Sequence, residues 1–150
     1  MKTLIALSLS AIVAATVLSN PPAQATASTK ATKSYGIYFY ETEKSFGDRT
    51  GAAAPKYWEK WMGYIGKIQA SGVIESGSAL LPPTTGVVLD GKGKRAINAS
   101  TINLSGYLIV KAESLDAAVS IANTCPAIQD GGRVEVRELL PMNQDMEKGK

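Results

Sequence analysis

Gly106-Tyr107-Leu108-Ile109-Val110-Lys111, then Ser114-Leu115-Asp116-Ala117-Ala118-Val119, Cys125-Pro126, Gly131-Gly132 and Arg133-Val134-Glu135-Val136-Arg137 together set the fold class of this chain. The first run is rich in aromatic and β-branched residues and predicts a strand. Ser114 is a good helix N-cap, and Asp116 sits well in the first turn, where the helix dipole favours negative charge. Leu115, Ala118, Val119 and Ala122 recur at helical spacing and predict the buried face. Pro126 has no amide hydrogen to donate and ends the helix. Gly131-Gly132 turns the chain into a last strand, Arg133 to Leu139. Its Val134 and Val136 alternate with Arg133, Glu135 and Arg137, a period of two that buries one face and leaves the other polar.

Working outward, Tyr35 to Tyr40 predicts a first strand and Glu41 to Ala54 a polar loop. Pro55 suits the first turn of a helix that Gly72 ends. Trp58, Trp61, Met62, Ile65 and Ile68 mark its expected apolar face. Gly63 and Gly66 inside this helix each cost about 1 kcal/mol relative to Ala, which close packing on the sheet or on a partner would offset. Val73 to Ala79 reads as a strand or an extended link. Gly86 to Leu89, Asp90-Gly91 and Arg95 to Ile97 read as a hairpin. Ser100 to Leu104 stays open. The order β-α-β(β)-β-α-β is an α+β, ferredoxin-like arrangement with an antiparallel sheet.

The chain has 150 residues, enough for one domain. Lys2, the apolar run Leu4 to Leu18 and Ala23-Gln24-Ala25 read as a signal peptide over residues 1–25, cleaved after Ala25. The apolar run is short of the roughly 20 residues a spanning helix needs. The expectation is therefore a periplasmic or secreted protein without a stable membrane anchor after cleavage. Residues 26–34 read as a flexible lead-in, 35–142 as the folded domain and 143–150 as a disordered tail. The formal charge of +3 is scattered. Lys92, Lys94 and Arg95 read as a solvated turn, and no nucleic-acid partner is expected. A single cysteine, Cys125, excludes an internal disulfide and reads as a small buried residue. There is no histidine. No metal site and no cofactor are expected, because neither His/Cys clusters, spaced carboxylates nor a Gly-rich phosphate loop is present.

Trp58-x-x-Trp61, Gly72, Gly77, Leu80, Ser105-Gly106-Tyr107, Ala112-Glu113-Ser114-Leu115-Asp116-x-Ala118, Cys125-Pro126, Gly131-Gly132 and Val134-Glu135-Val136-Arg137 resemble the YCII-related family of DGPF-type domains. The resemblance spans about Tyr35 to Met142. It implies a ferredoxin-like fold and a homodimer in which two sheets face each other as a dimeric α/β barrel, with clefts near the interface. The family's Asp-Gly-Pro-Phe signature is absent near Lys94-Arg95-Ala96-Ile97. The His-Asp pair suggested by better-studied relatives cannot form here.

Five residues are the candidate ligand contacts. Arg137 is suited to grip a carboxylate in bidentate fashion, and Glu135 lies two residues away on the same strand face. Tyr107 and Tyr38, with Tyr40, would line an open sheet face. Trp58, with Trp61, would supply an aromatic wall. Asp48 and Arg49 lie in a long loop, where ligand contacts often sit. Asp90 reads as a turn residue. The favoured function is a non-catalytic exported homodimer that binds a small organic ligand or a protein partner. The alternative is a lyase- or isomerase-type enzyme using Glu or Tyr for proton transfer, with Glu135 or Glu75 as the base.

Overall fold

The computed structural model describes residues 31–141 and builds its main sheet around β1 (Lys33–Thr42). The expected signal peptide and the tail lie outside the described residues. Lys33 and Ser34, the end of the expected lead-in, already belong to β1. On β1 the side chains of Tyr35, Ile37, Phe39 and Glu41 are buried. Ser34, Gly36, Tyr38 and Tyr40 alternate onto the other face, as strand geometry requires.

The four-stranded sheet has the order β2-β5-β1-β6, with β2 (Ile74–Ala79), β5 (Ile102–Ala112) and β6 (Arg133–Glu138). Every neighbouring pair is antiparallel. With helices between β1 and β2 and between β5 and β6, this is the ferredoxin-like arrangement that the element order predicts. The hairpin stands apart as a two-stranded sheet of β3 (Val87–Asp90) and β4 (Gly93–Ala96), inserted between β2 and β5. Its turn residues are Gly91 and Lys92, one step later than predicted. Asp90 steadies the turn by accepting from the Lys92 amide at 2.9 Å.

The helices cover one face of the sheet. α2 (Ala54–Ala70) buries Tyr57, Trp61, Tyr64 and Ile68; Trp61 and Ile68 are as predicted, and Ile65 packs partly buried against the same core. Trp58 and Met62 are instead 40% and 63% exposed. The reason is the aromatic cluster. Phe39 of β1 meets Trp61 edge to face at 5.1 Å and Tyr64 at 6.1 Å, and such pairs add about 0.5–1.5 kcal/mol each beyond area burial. α3 (Leu115–Ala122) is capped by Ser114, which accepts from the Ala117 amide. Its buried positions are Ala118 and Ala122, while Leu115 and Val119 face solvent. The small residues let the helix approach the sheet, which two bulkier side chains on that face would prevent. The short α4 (Pro126–Gln129) follows Cys125, which is fully buried in the same core.

Two further expectations are corrected. The Glu41 to Ala54 stretch is not a loop throughout. β1 runs on to Thr42, and α1 (Glu43–Asp48) starts there, with the Thr42 hydroxyl accepting from the Ser45 amide. Gly63 and Gly66 do not serve close packing within the described chain. A Cβ at either would meet nothing within 4 Å. Gly72, by contrast, ends α2 with φ +70°, as the helix stop requires.

A candidate apolar cavity with a buried polar cluster

β2 is the sheet edge beside α2, and its inward positions Gly77 and Ala79 are small. They pair with Leu108 and Gly106 of β5. Neither Gly77 nor Gly106 tolerates a side chain. A Cβ on Gly77 would overlap Leu108 Cδ2, and one on Gly106 would stand 2.8 Å from the Ser78 carbonyl oxygen. A gap therefore remains between this corner of the sheet and α2, a cavity of about 220 Å³. Trp58, Trp61, Met62 and Ile65 of α2 wall it, with Phe39 and Leu108 beneath. The spacing 58, 62, 65 is the second apolar stripe of α2, the one the aromatic core leaves over.

At one end of the cavity lies a buried polar cluster. Glu41 continues the inward alternation of β1 and is 1% exposed. Arg49, just after α1, forms an ion pair with it. The Tyr57 hydroxyl donates to Glu41 at 3.1 Å and accepts from Arg49 Nε at 2.9 Å. Arg49 also donates through Nη1 to the Leu80 carbonyl at 2.6 Å and through Nη2 to the Ser105 carbonyl at 3.1 Å. Its guanidinium lies 4.3 Å from the Phe46 ring centroid, a cation–π arrangement. The cluster thus ties β1, α1, α2, β2 and β5 together. Ser105 is placed there by a bulge. The β1–β5 register slips between Phe39 and Tyr40, and Ser105 Oγ donates to the Phe39 carbonyl at 3.1 Å.

Burial, reinforced by the Glu41 charge and only partly countered by Arg49, pushes the Tyr57 phenol well above the ordinary tyrosine range. Tyr57 therefore stays protonated and keeps a hydrogen to donate to Glu41. Burial also raises the Cys125 thiol, which keeps it protonated and inert. Among the described residues no group of three or more Cys, Asp or Glu could hold a metal ion.

A sequence profile for the YCII-related domain matches residues 34–143. The chain belongs to the YCII-related domain family. None of the curated proteins compared with this YCII-related domain matches it. Among solved structures, the 5-chloro-2-hydroxyhydroquinone dehydrochlorinase TftG from Burkholderia phenoliruptrix AC1100, in complex with 2,5-dihydroxybenzoquinone, is similar at 20% identity with a TM-score of 0.47. The match covers 71% of this chain and 93% of that one.

The sequence-predicted site residues of this YCII-related domain do not converge on one place. Trp58 lines the cavity, with its indole Nε1 donating to the Arg49 carbonyl at 3.2 Å. Tyr107 borders it, but its register opposite Tyr38 and Ser78 puts its side chain on the open sheet face. Tyr38 and Glu135 are paired on that same face. Arg137 donates to Glu135 at 2.8 Å, and Arg133 flanks Glu135 at 3.5 Å. Neither carboxylate named as a base reaches the cavity. Glu135 is held by these arginines, and Glu75 by Ser34 and by Lys111 at 3.6 Å. Arg49, singled out only for its loop position, belongs to the cluster. Asp48 pairs with Lys44 at the surface. Glu41 and Tyr57 belong to the candidate site, and the sequence reading does not single them out. The signal for Glu41 is the alternation of Tyr35, Ile37 and Phe39, which runs straight on to it.

Proposed function

We propose that this YCII-related domain is an exported, non-catalytic homodimeric module that binds a small, largely apolar organic molecule in the cavity between α2 and the β2–β5 edge. The observation that carries this is the wall itself. Aromatic and aliphatic side chains surround the space, and the polar cluster at its end is already satisfied internally. Ligand sites are typically concave and apolar with a few convergent polar groups. Catalytic proton transfer would need a titratable group facing the reacting atom and able to change its charge. Tyr57 stays protonated, and both oxygens of Glu41 are engaged by Tyr57 and Arg49.

The dimer is supported by the uncovered sheet face. Tyr38 and Tyr107 sit opposite each other there, Arg133 stacks on Tyr40 at 4.3 Å, and Leu104 is 39% exposed. An apolar and aromatic face of this kind usually marks an interface. Export rests on the apolar run Leu4 to Leu18 and on Ala23-Gln24-Ala25.

Native mass spectrometry on mature protein from the exporting host tests the reading. The expected result is a dimer carrying an adduct of small-molecule mass. Ala79→Leu, which fills the cavity from β2, is expected to remove the adduct and leave the dimer. An adduct that survives Ala79→Leu overturns the cavity assignment, and a monomer overturns the sheet-face interface.

A further inference from the structure

The hairpin of β3 and β4 forms a sheet of its own, apart from the main one. Its register pairs Val87 with Ala96, Val88 with Arg95, Leu89 with Lys94 and Asp90 with Gly93. Alternation therefore puts Val88, Asp90 and Arg95 on one face, and Val87, Leu89, Lys94 and Ala96 on the other. The first face is partly closed within the arm. Val88 is half-buried, and Arg95 Nε donates to Asp90 at 3.0 Å. Ile97 folds against Gly86 so closely that a Cβ there would stand 2.7 Å from Ile97 Cδ1. The second face is bare. Val87 is 49% exposed and Leu89 74%, and Lys94 and Ala96 beside them are exposed as well. A two-stranded hairpin is marginal in water on its own, so a surface that covers its aliphatic face would steady it.

Charge and area decide what that surface is. Asp90 is the only acid between Gly86 and Ile97, and Arg95 neutralises it. Lys92, in the turn, and Lys94 keep the tip positive. Lys94 stands directly opposite Leu89, and its aliphatic stem can lie along that leucine while the ammonium reaches outward. An aliphatic tip flanked by ammonium groups complements an anionic lipid surface, in which the glycerol and acyl region takes the leucine and the phosphates take the lysines. A protein partner fits less well. Paired strands of four residues offer a face of about 13 Å by 10 Å, far below the roughly 800 Å² per partner of a stable protein interface. A lipid surface sets no such minimum. We propose that the β3–β4 hairpin is a peripheral docking arm, which lays Val87 and Leu89 into the headgroup region of an anionic bilayer with Lys92 and Lys94 at its phosphates. The arm is not an anchor, because a contact of this size is weak and reversible. Its assignment is independent of the cavity between α2 and the sheet edge.

Sedimentation with sucrose-loaded vesicles tests the arm, using mature protein from the exporting host. One set of vesicles is equimolar phosphatidylcholine and phosphatidylglycerol, and the other is phosphatidylcholine alone. The expected result is binding to the anionic vesicles at low salt, much weaker binding to the neutral ones, and release in about 1 M sodium chloride, where the screening length is about 3 Å. Lys92→Gln and Lys94→Gln should each weaken binding by about fivefold, and Leu89→Ser by about tenfold. Val119→Ser, at a position 45% exposed on α3, should leave it unchanged. All four side chains lie at the surface, and circular dichroism checks that each variant keeps the fold. Absence of sedimentation with the anionic vesicles at low salt overturns the proposal. Binding that Leu89→Ser leaves untouched reduces the contact to adsorption of a basic protein and overturns it too. Loss of the dimer in Leu89→Ser, read by light scattering, would give the arm to a second copy of the chain and overturn the lipid assignment. None of these outcomes bears on the cavity.

Discussion

Removing Arg49 strands a buried charge. In Arg49→Ala the Glu41 carboxylate, 1% exposed, keeps only the Tyr57 hydroxyl as a partner among the described side chains. The Leu80 carbonyl loses its bond from Arg49, whereas the Ser105 carbonyl still accepts from the Leu80 amide at 2.8 Å. The dominant loss is the uncompensated carboxylate, and breaking a buried ion pair from one side costs about 3–5 kcal/mol. At roughly 4–6 °C per kcal/mol for a domain near 100 residues, the melting temperature should fall by about 12–30 °C. Arg49→Lys keeps the charge but replaces a planar fork with a point donor that cannot serve four acceptors at once. It should fall between wild type and Arg49→Ala. In the double variant Glu41→Gln/Arg49→Ala the charge is gone, and the loss should be smaller than the sum of the two single losses by more than about 1 kcal/mol. Differential scanning calorimetry and urea titration measure all of these proteins alongside Glu41→Gln. A drop below about 3 °C for Arg49→Ala, or strict additivity in the cycle, would refute the argument that this cluster is a coupled internal device.

Other parts of the molecule are open to equally direct tests. Burial holds the phenols of Tyr57 and Tyr64 above the ordinary tyrosine range. Their contribution is complete below the unfolded value near pH 10 and is lost as the pH rises toward the folded values, so stability should fall by up to about 2 kcal/mol between pH 10 and 11. Urea midpoints that stay flat across that unit would contradict it. Gly63→Ala and Gly66→Ala, both with open space for a Cβ, should each raise stability by about 0.5–1 kcal/mol; a loss in either would show that a partner surface needs the glycine. Gly77→Ala should lower stability by about 1–3 kcal/mol and reduce the small-molecule adduct seen in native mass spectrometry, because its methyl group overlaps Leu108 on the cavity floor. Arg137→Ala should change stability by less than about 0.5 kcal/mol and leave the native-mass adduct intact, since it breaks only a surface ion pair on the opposite face.

The fold is largely legible in the sequence because local signals agree. Ser114 caps where a cap is expected, Gly72 stops its helix, and the alternation of Val134 and Val136 sets the face of the last strand. The helix faces are harder to read. Spacing alone does not tell which of two adjacent stripes on α2 is buried, because Trp58, Met62 and Ile65 are as apolar as the stripe that includes Trp61 and Ile68. That choice is made by Phe39, a residue of another element. The candidate site is legible only in fragments. Its polar cluster joins Glu41, Arg49 and Tyr57 with carbonyl groups of Leu80 and Ser105, so it exists only once five elements have met. Glu135 and Arg137 draw attention because they are charged and adjacent on one face. That adjacency is also what lets them neutralise each other.

The two walls of the cavity differ in how freely they can change. On the sheet side Gly77 and Gly106 are fixed by close contacts, and an added methyl group on either collides with the neighbouring strand. On the helix side Trp58 and Met62 are partly in water, Met62 the more so, while Trp58 keeps its bond to the Arg49 carbonyl. Natural variation, or a directed library, can therefore reshape the cavity most freely at Met62 while the strands stay as they are. Selection acting on this protein would meet a mould with one immovable half and one replaceable half, and diversity among its relatives should concentrate on the replaceable one.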